Sequence, residues 1–245
     1  MLNRFLAGPD SGTMAVFCER KAPRKALEMR RVQESWVAAD EKRALLWLAA
    51  RLPRWVNPDH LTALGFAAQI GAGICYALAH RNRDWLPGVI VCLALNWLGD
   101  SLDGTLARAR QQLRPRYGFY VDHMADSFGA LALMGGLALS GYTSPPIAIG
   151  LLIAFFMLSI QSYLATHALG QFRLSFWRFG PTELRILLAI GNVALLWKPR
   201  VHFLGGIYKL FDVGGTIGLV GMALMLVFFT AQNTFRLYRE ERIAR

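Results

Sequence analysis

Charge is what this sequence has least of. Only 18% of its 245 residues are Asp, Glu, Lys or Arg, against roughly a quarter in an ordinary soluble domain, while 54% are hydrophobic. That shortage excludes a chain whose whole surface faces water. Acidic residues are the scarcer kind, 16 against 27 basic, for a formal charge of +11. Such an excess could suggest nucleic acid, but the apolar bulk and the sorting of the basic residues into short clusters between apolar blocks exclude it. Cysteine is sparse too. Cys18, Cys75 and Cys92 are odd in number and have no metal spacing, so neither a disulfide framework nor a structural zinc site is expected; Cys75 and Cys92 read as small buried hydrophobes. His60, His80, His167 and His202 are scattered and form no metal set. Residues 1–34 lack an apolar core, so no cleavable secretory leader is expected.

What the chain has instead is apolar length. Blocks of hydrophobic residues fall at about 60–79, 86–106, 121–141, 146–168, 184–197 and 211–231. The fifth is the weakest and needs its polar start at Pro181 to approach the roughly 20 residues of a full crossing. Before them, residues 35–56 carry Leu45, Leu48 and Leu52 at helical spacing, with Lys42, Arg43, Arg51 and Arg54 between. That stretch is too polar to cross and suits an interfacial amphipathic helix, or one packed on the base of the membrane domain. The expected fold is therefore all-α and polytopic, with six transmembrane helices preceded by an interfacial amphipathic helix. Its divisions are a basic N-terminal arm (1–34), the amphipathic helix (35–56), the membrane domain (57–233) and a basic tail (234–245). Small-residue pairs, Ala132 with Gly136 and Gly214 with Gly218, are candidates for close helix packing.

Basic residues assign the orientation. Arg108, Arg110, Arg114 and Arg116 follow the second block, Arg173 and Arg178 the fourth, and Arg236, Arg239, Arg242 and Arg245 end the chain. With the basic first 60 residues on the same side, both termini and these connections are expected in the cytoplasm, although Arg81, Arg83, Lys198, Arg200 and Lys209 on the other side lessen the contrast.

The segment GDSLDGTLARARQQLRPRYGFYVDHMADSFG, residues 99–129, carries the chemistry. Asp100 and Asp103 are three apart and Asp122 and Asp126 four apart, so each pair shares a helix face. The short connection makes the two helices antiparallel neighbours, and the pairs are expected to meet near the cytoplasmic surface. Four carboxylates at the edge of an apolar bundle need neutralising, and an all-oxygen set favours Mg²⁺ or Mn²⁺. Two such ions suit a diphosphate, and a carboxylate beside them can take a proton from an attacking hydroxyl. Gly104 and Gly118 remove bulk where a ligand approaches the backbone, and Arg108 and Arg110 offer cations for phosphate. The alternative is that the aspartates form ordinary surface salt bridges with the loop arginines.

The order Asp100, Asp103-Gly104, Ala107-Arg108, Gly118, Asp122, Asp126 resembles the signature of the CDP-alcohol phosphotransferase family, with every fixed position present. The resemblance extends from about residue 37 to 231 and implies an interfacial helix, six spans and a homodimer. It implies Asp100, Asp103 and Asp122 as ligands of two divalent ions, and Asp126 as general base, also touching a metal. Gly104, Ala107, Arg108 and Gly118 would shape the pocket for the cytidine diphosphate. The implied partners are a CDP-activated alcohol and an acceptor alcohol, one of them a lipid, with CMP released. Asn57 and Thr62 match the family's lead into the first span; otherwise they are a cap and turn. Glu183, within GPTELR, resembles the ethanolamine and choline branch; otherwise it pairs with Arg178 or Arg185. His123 lies one residue off the aspartate face and reads as packing or a neighbouring donor. The loop arginines would suit a phosphorylated acceptor, whereas the GPTE stretch leans to a lipid acceptor. A divalent-cation transporter, or a non-catalytic scaffold with a retained metal site, is the alternative function.

Overall fold

The computed structural model describes residues 38–169, 181–203 and 205–241. The N-terminal arm, the connection carrying Arg173 and Arg178, and residues 242–245 lie outside them. The order is α1 (Ala38–Arg51), α2 (Pro58–Ala79), a 3-10 turn (Arg83–Trp85), α3 (Leu86–Ala109), α4 (Pro115–Leu139), α5 (Pro145–Leu169), α6 (Pro181–Trp197), β1 (Arg200–Phe203), β2 (Gly206–Lys209) and α7 (Leu210–Glu240). Proline marks the helix starts: α2, α4, α5 and α6 open on one, and α3 has Pro87 at its second position. A first-turn proline surrenders an N–H that has no intrahelical partner anyway.

The chain is mostly helical and associated with a membrane. Four helices, α2, α3 with the 3-10 turn before it, α5 and α7, are long and apolar enough to cross one. The expected six are met at that standard by four, for two physical reasons. Asp122, His123 and Asp126 leave α4 apolar only in its later half, and α6 has 17 residues, about 25 Å at 1.5 Å per residue.

α2 is the centre of the packing, and it touches α3 and α4 backbone to backbone. A Cβ on Gly99 would lie 2.6 Å from both the Gly65 nitrogen and the Leu61 carbonyl oxygen. On the other side, a Cβ on Gly73 would lie 2.2 Å from the Ala132 carbonyl oxygen and one on Gly136 1.9 Å from that of Gly73. The Ala132/Gly136 pair is thus a packing contact. On α7 the expected pair is met at one member: Gly218 lies against Leu151 of α5, but Gly214 has open space beside it and the closer contact is made by Gly215 against Ile147.

Tyr76, Leu86, Val89, Leu133, Leu137 and Leu195 form one core between α2, α3, α4 and α6. A second lies beneath α1, where Leu45 and Ala49 pack on Leu61, Leu102 and Leu106. The outward residues of α7, among them Ile217, Leu224 and Val227, are exposed, as a lipid-facing helix requires.

At the end away from the aspartates, Asp212 of α7 accepts from the Thr143 and Ser144 hydroxyls and the Ser144 N–H, fastening α7 to the start of α5. Arg83 donates to the Leu195 and Leu196 carbonyls at 2.7 and 2.8 Å, satisfying the C-terminus of α6. Residues 200–209, between the last two apolar blocks, form an antiparallel hairpin, pairing Arg200 with Lys209 and His202 with Ile207. Gly205, at φ +83, makes its turn possible.

Candidate active site

The site is built where α2 begins, α3 ends and α4 begins. Thr62, Gly65 and Gln69 share one face of α2, Asn96, Asp100 and Asp103 one face of α3, and Asp122, Ala125 and Asp126 one face of α4; all line a single cleft. Each set follows the three-and-four spacing of a helix face. The cleft holds about 230 Å³, part of it open to solvent. The four aspartates therefore do meet around one space, and Asp126 lies within electrostatic range of Asp100, Asp122, Asp103 and Arg185.

α3 stops abruptly, which helps to place α4. The Gln112 N–H donates to the Ala107 carbonyl and the Gln111 N–H to that of Arg108, with Gln111 left-handed at φ 54. These are the two hydrogen bonds of a Schellman motif, here with glutamine where glycine is usual. The motif turns Arg110 back toward the α1–α2 connection, where it donates to the carbonyls of Leu52, Pro53, Arg54 and Val56. Arg110 is thus engaged on backbone rather than turned to the cleft. Arg114 pairs with Asp59, and Arg108 donates to the Thr105 hydroxyl.

Each α3 aspartate has its own partner. Thr62 donates to Asp103 Oδ2 at 2.6 Å, and the Gly104 N–H bonds to Oδ1 of the same carboxylate. Asp100 is met by Arg185 of α6, whose Nη2 lies 2.8 Å from Oδ2. The Arg185 Nε donates to Asn96 Oδ1 at 2.7 Å, and Asn96 Nδ2 donates to the Gly65 carbonyl at 3.0 Å. Asp100 therefore pairs with α6, not with the arginine-rich loop that the surface salt-bridge alternative would use.

Glu41 of α1 braces the same region, accepting from Trp97 Nε1 at 2.8 Å and from the Ser101 and Thr182 hydroxyls at 3.3 Å. It ties the surface helix to α3 beside Asp100 and to α6 one turn from Arg185.

Among the other expected site residues, Asn57 is the extended N-cap of α2, its N–H donating to His60 Nδ1. His123 clusters with Phe119, ring centroids 4.1 Å apart, and meets Tyr163 edge-on, with Nδ1 against the Phe119 carbonyl, and does not line the cleft. Ala107 is buried. A Cβ on Gly118 would meet nothing within 4 Å, and one on Gly104 only the end of Arg108. Packing thus demands glycine at neither position, in contrast to Gly99. The side chain of Glu183 lies outside the described residues.

Sequence reasoning missed Gln69, Asn96, Arg185 and Glu41. The first two had a readable signal, an amide inside an otherwise apolar span, which is costly there unless it has a partner or a role. The last two meet their partners only through the packing of separate helices.

Among the described residues, no three carboxylate, imidazole or thiol groups converge closely enough, as placed, to enclose a metal ion. The donor chemistry nonetheless fits one. The cleft offers carboxylate oxygens from two helices, and Asp100 already holds a cationic group.

Fold and site together define an α-helical membrane protein with a carboxylate-lined cleft at one end of its bundle. Comparison with protein families matches residues 55–231 to CDP-alcohol phosphatidyltransferase. With most of its length matched, the chain belongs to that family, and its function is phosphoalcohol transfer in lipid biosynthesis. No curated protein matches it.

Proposed function

We propose that the cleft joins a phosphoalcohol group from a CDP-activated donor to an acceptor alcohol, one substrate being a lipid, with CMP released. The observation that carries this reading is the convergence of Asp100, Asp103, Asp122 and Asp126 on one cleft. Asp126 acts as the general base. As the acceptor oxygen bonds to the β-phosphorus, its proton passes to the Asp126 carboxylate, the bond from that phosphorus to the bridging oxygen breaks, and CMP departs with the electron pair. Asp100, Asp103 and Asp122, with Asp126 at the edge, would hold two Mg²⁺ or Mn²⁺ ions, which supply charge neutralisation on the diphosphate. Thr62 keeps Asp103 oriented. Gly104 and Gly118 would leave the backbone open to the nucleotide, and Arg108, bonded to the Thr105 hydroxyl, would offer a cation to its phosphates.

In the membrane, α4 and α6 complete six spans with the four longer helices, α1 lies in the interface, and the cleft and both termini face the cytoplasm. The exposed apolar faces of α5 and α7 are available to lipid and to a second copy in a homodimer. Cation transport is a poorer reading, because the buried polar pair deeper in the bundle, Tyr76 with Asn192, is neutral.

The test is CMP release by detergent-solubilised protein with Mn²⁺ or Mg²⁺. Donor and acceptor pairs would be CDP-diacylglycerol with soluble alcohols, and CDP-choline or CDP-ethanolamine with diacylglycerol. One pair should release CMP, and Asp126→Asn should reduce the rate at least about 10²-fold, the loss expected for a general base. Wild-type rates in that variant would remove Asp126 from the chemistry. Silence from every pair, in folded protein that binds Mn²⁺, would leave the cleft as a binding site only.

A further inference from the structure

The two α3 aspartates are prepared differently. Asp103 is oriented by a neutral hydroxyl, which leaves its charge available to the cleft. Asp100 is held by a guanidinium with a side chain only 14% exposed. That guanidinium is not a mobile surface partner. It is fixed at two points, on Asp100 and on Asn96, and Asn96 is itself held by the Gly65 carbonyl. A divalent cation reaching Asp100 must share its carboxylate with Arg185 or displace it, and meets the like charge of Arg185 in doing so.

We propose that Arg185 is the competing cation of this site, a positioning residue whose ion pair with Asp100 sets how tightly the carboxylates take up a divalent ion. The proposal rests on the metal reading above and adds to it a role for α6. Its mark is a sign. Removing a purely structural arginine lowers stability and loosens whatever the site binds, whereas removing a competing cation tightens metal binding even as the fold weakens.

The experiment is direct Mn²⁺ titration of the full chain in detergent, following free Mn²⁺ by its electron paramagnetic resonance signal, with thermal shift by Mn²⁺ alone as a second readout. Arg185→Gln keeps a donor toward Asn96 and removes the charge; its Mn²⁺ affinity should rise about tenfold, the effect of one nearby charge in a partly solvated site. Its Mn²⁺-induced rise in melting temperature should also exceed that of wild type. Arg185→Lys keeps the charge and loses the fork, so its affinity should stay within about twofold of wild type if charge governs the competition. This second variant decides the matter if the glutamine variant does not fold: a lysine variant with altered affinity overturns the proposal. Binding by wild type with equal or weaker binding by Arg185→Gln overturns it as well, and leaves the metal reading intact. No Mn²⁺ binding by wild type or either variant overturns the metal reading, and this inference with it.

Discussion

Gly99 is where packing and chemistry are most tightly linked, and replacing it with alanine gives a perturbation of known direction. The new Cβ would sit 2.6 Å from two backbone atoms of α2, the Gly65 nitrogen and the Leu61 oxygen. Neither is the end of a flexible side chain, so relief requires α2 and α3 to part by roughly 1 Å, at a cost of about 1–3 kcal/mol for overpacking. The same separation stretches the Thr62–Asp103 hydrogen bond from 2.6 Å to about 3.5 Å, beyond useful range. It also misaligns the α3 carboxylates against those of α4. A displacement of that size at a reacting centre costs about 10²-fold in rate. Gly118→Ala is the matched control, because a Cβ there meets nothing and alanine in a helix is worth about 0.5–1 kcal/mol over glycine. Thermal melting in detergent, beside CMP release, separates the two. Gly99→Ala should melt several degrees lower and be nearly inactive. Gly118→Ala should melt at or above wild type and lose activity only if the nucleotide lies against that backbone. A Gly99→Ala protein with wild-type melting and wild-type rate would refute the close α2–α3 contact and the positioning argument built on it.

Two further substitutions test the ends of the site helices. Arg83→Ala removes the donor to two carbonyls at the C-terminus of α6 and should lower stability by about 1 kcal/mol, seen as a drop of a few degrees in melting temperature. Gln111→Gly relieves a left-handed residue in the Schellman turn and should raise stability by about 0.5–1 kcal/mol, read in the same melt; an unchanged or lower melting temperature would mean that the α3–α4 turn is not strained.

The acidic constellation was legible because charge inside apolar sequence is conspicuous and helical spacing is simple arithmetic. Asp100 with Asp103, and Asp122 with Asp126, needed only the assumption of helix to share a face. Thr62 was legible by its resemblance to a family position, and its contact with Asp103 places it in the same cleft. The loop arginines read alike in sequence and differ in space. Arg110 is turned onto backbone carbonyls by a glutamine in a left-handed turn, a conformation that no pattern in the sequence announces. Arg185 was invisible as a site residue because its partners, Asn96 and Asp100, lie 89 and 85 positions earlier in the chain. The one-residue displacement from Gly214 to Gly215 is of the same kind: small residues on adjacent faces of α7 look equivalent until the rotation of the helix is known. The hairpin escaped because polar and apolar residues alternate only in β1, Arg200–Phe203, whereas Ile207 and Tyr208 stand side by side in β2, and four residues a side do not stand out beside spans of more than twenty.

α6 is held at one end by Thr182 and Arg185, which reach α1 and α3, and at the other by the carbonyls that Arg83 grips. A rod pinned at both ends cannot swing outward like a gate. It can roll about its own axis or bow between the pins, and a bow would have to form near Gly191, where the Phe211 ring already presses against the backbone. Either movement would have to break the Arg185–Asp100 pair or the Thr182–Glu41 hydrogen bond first, so the polar contacts at that end, rather than the apolar core, hold the rotation of α6.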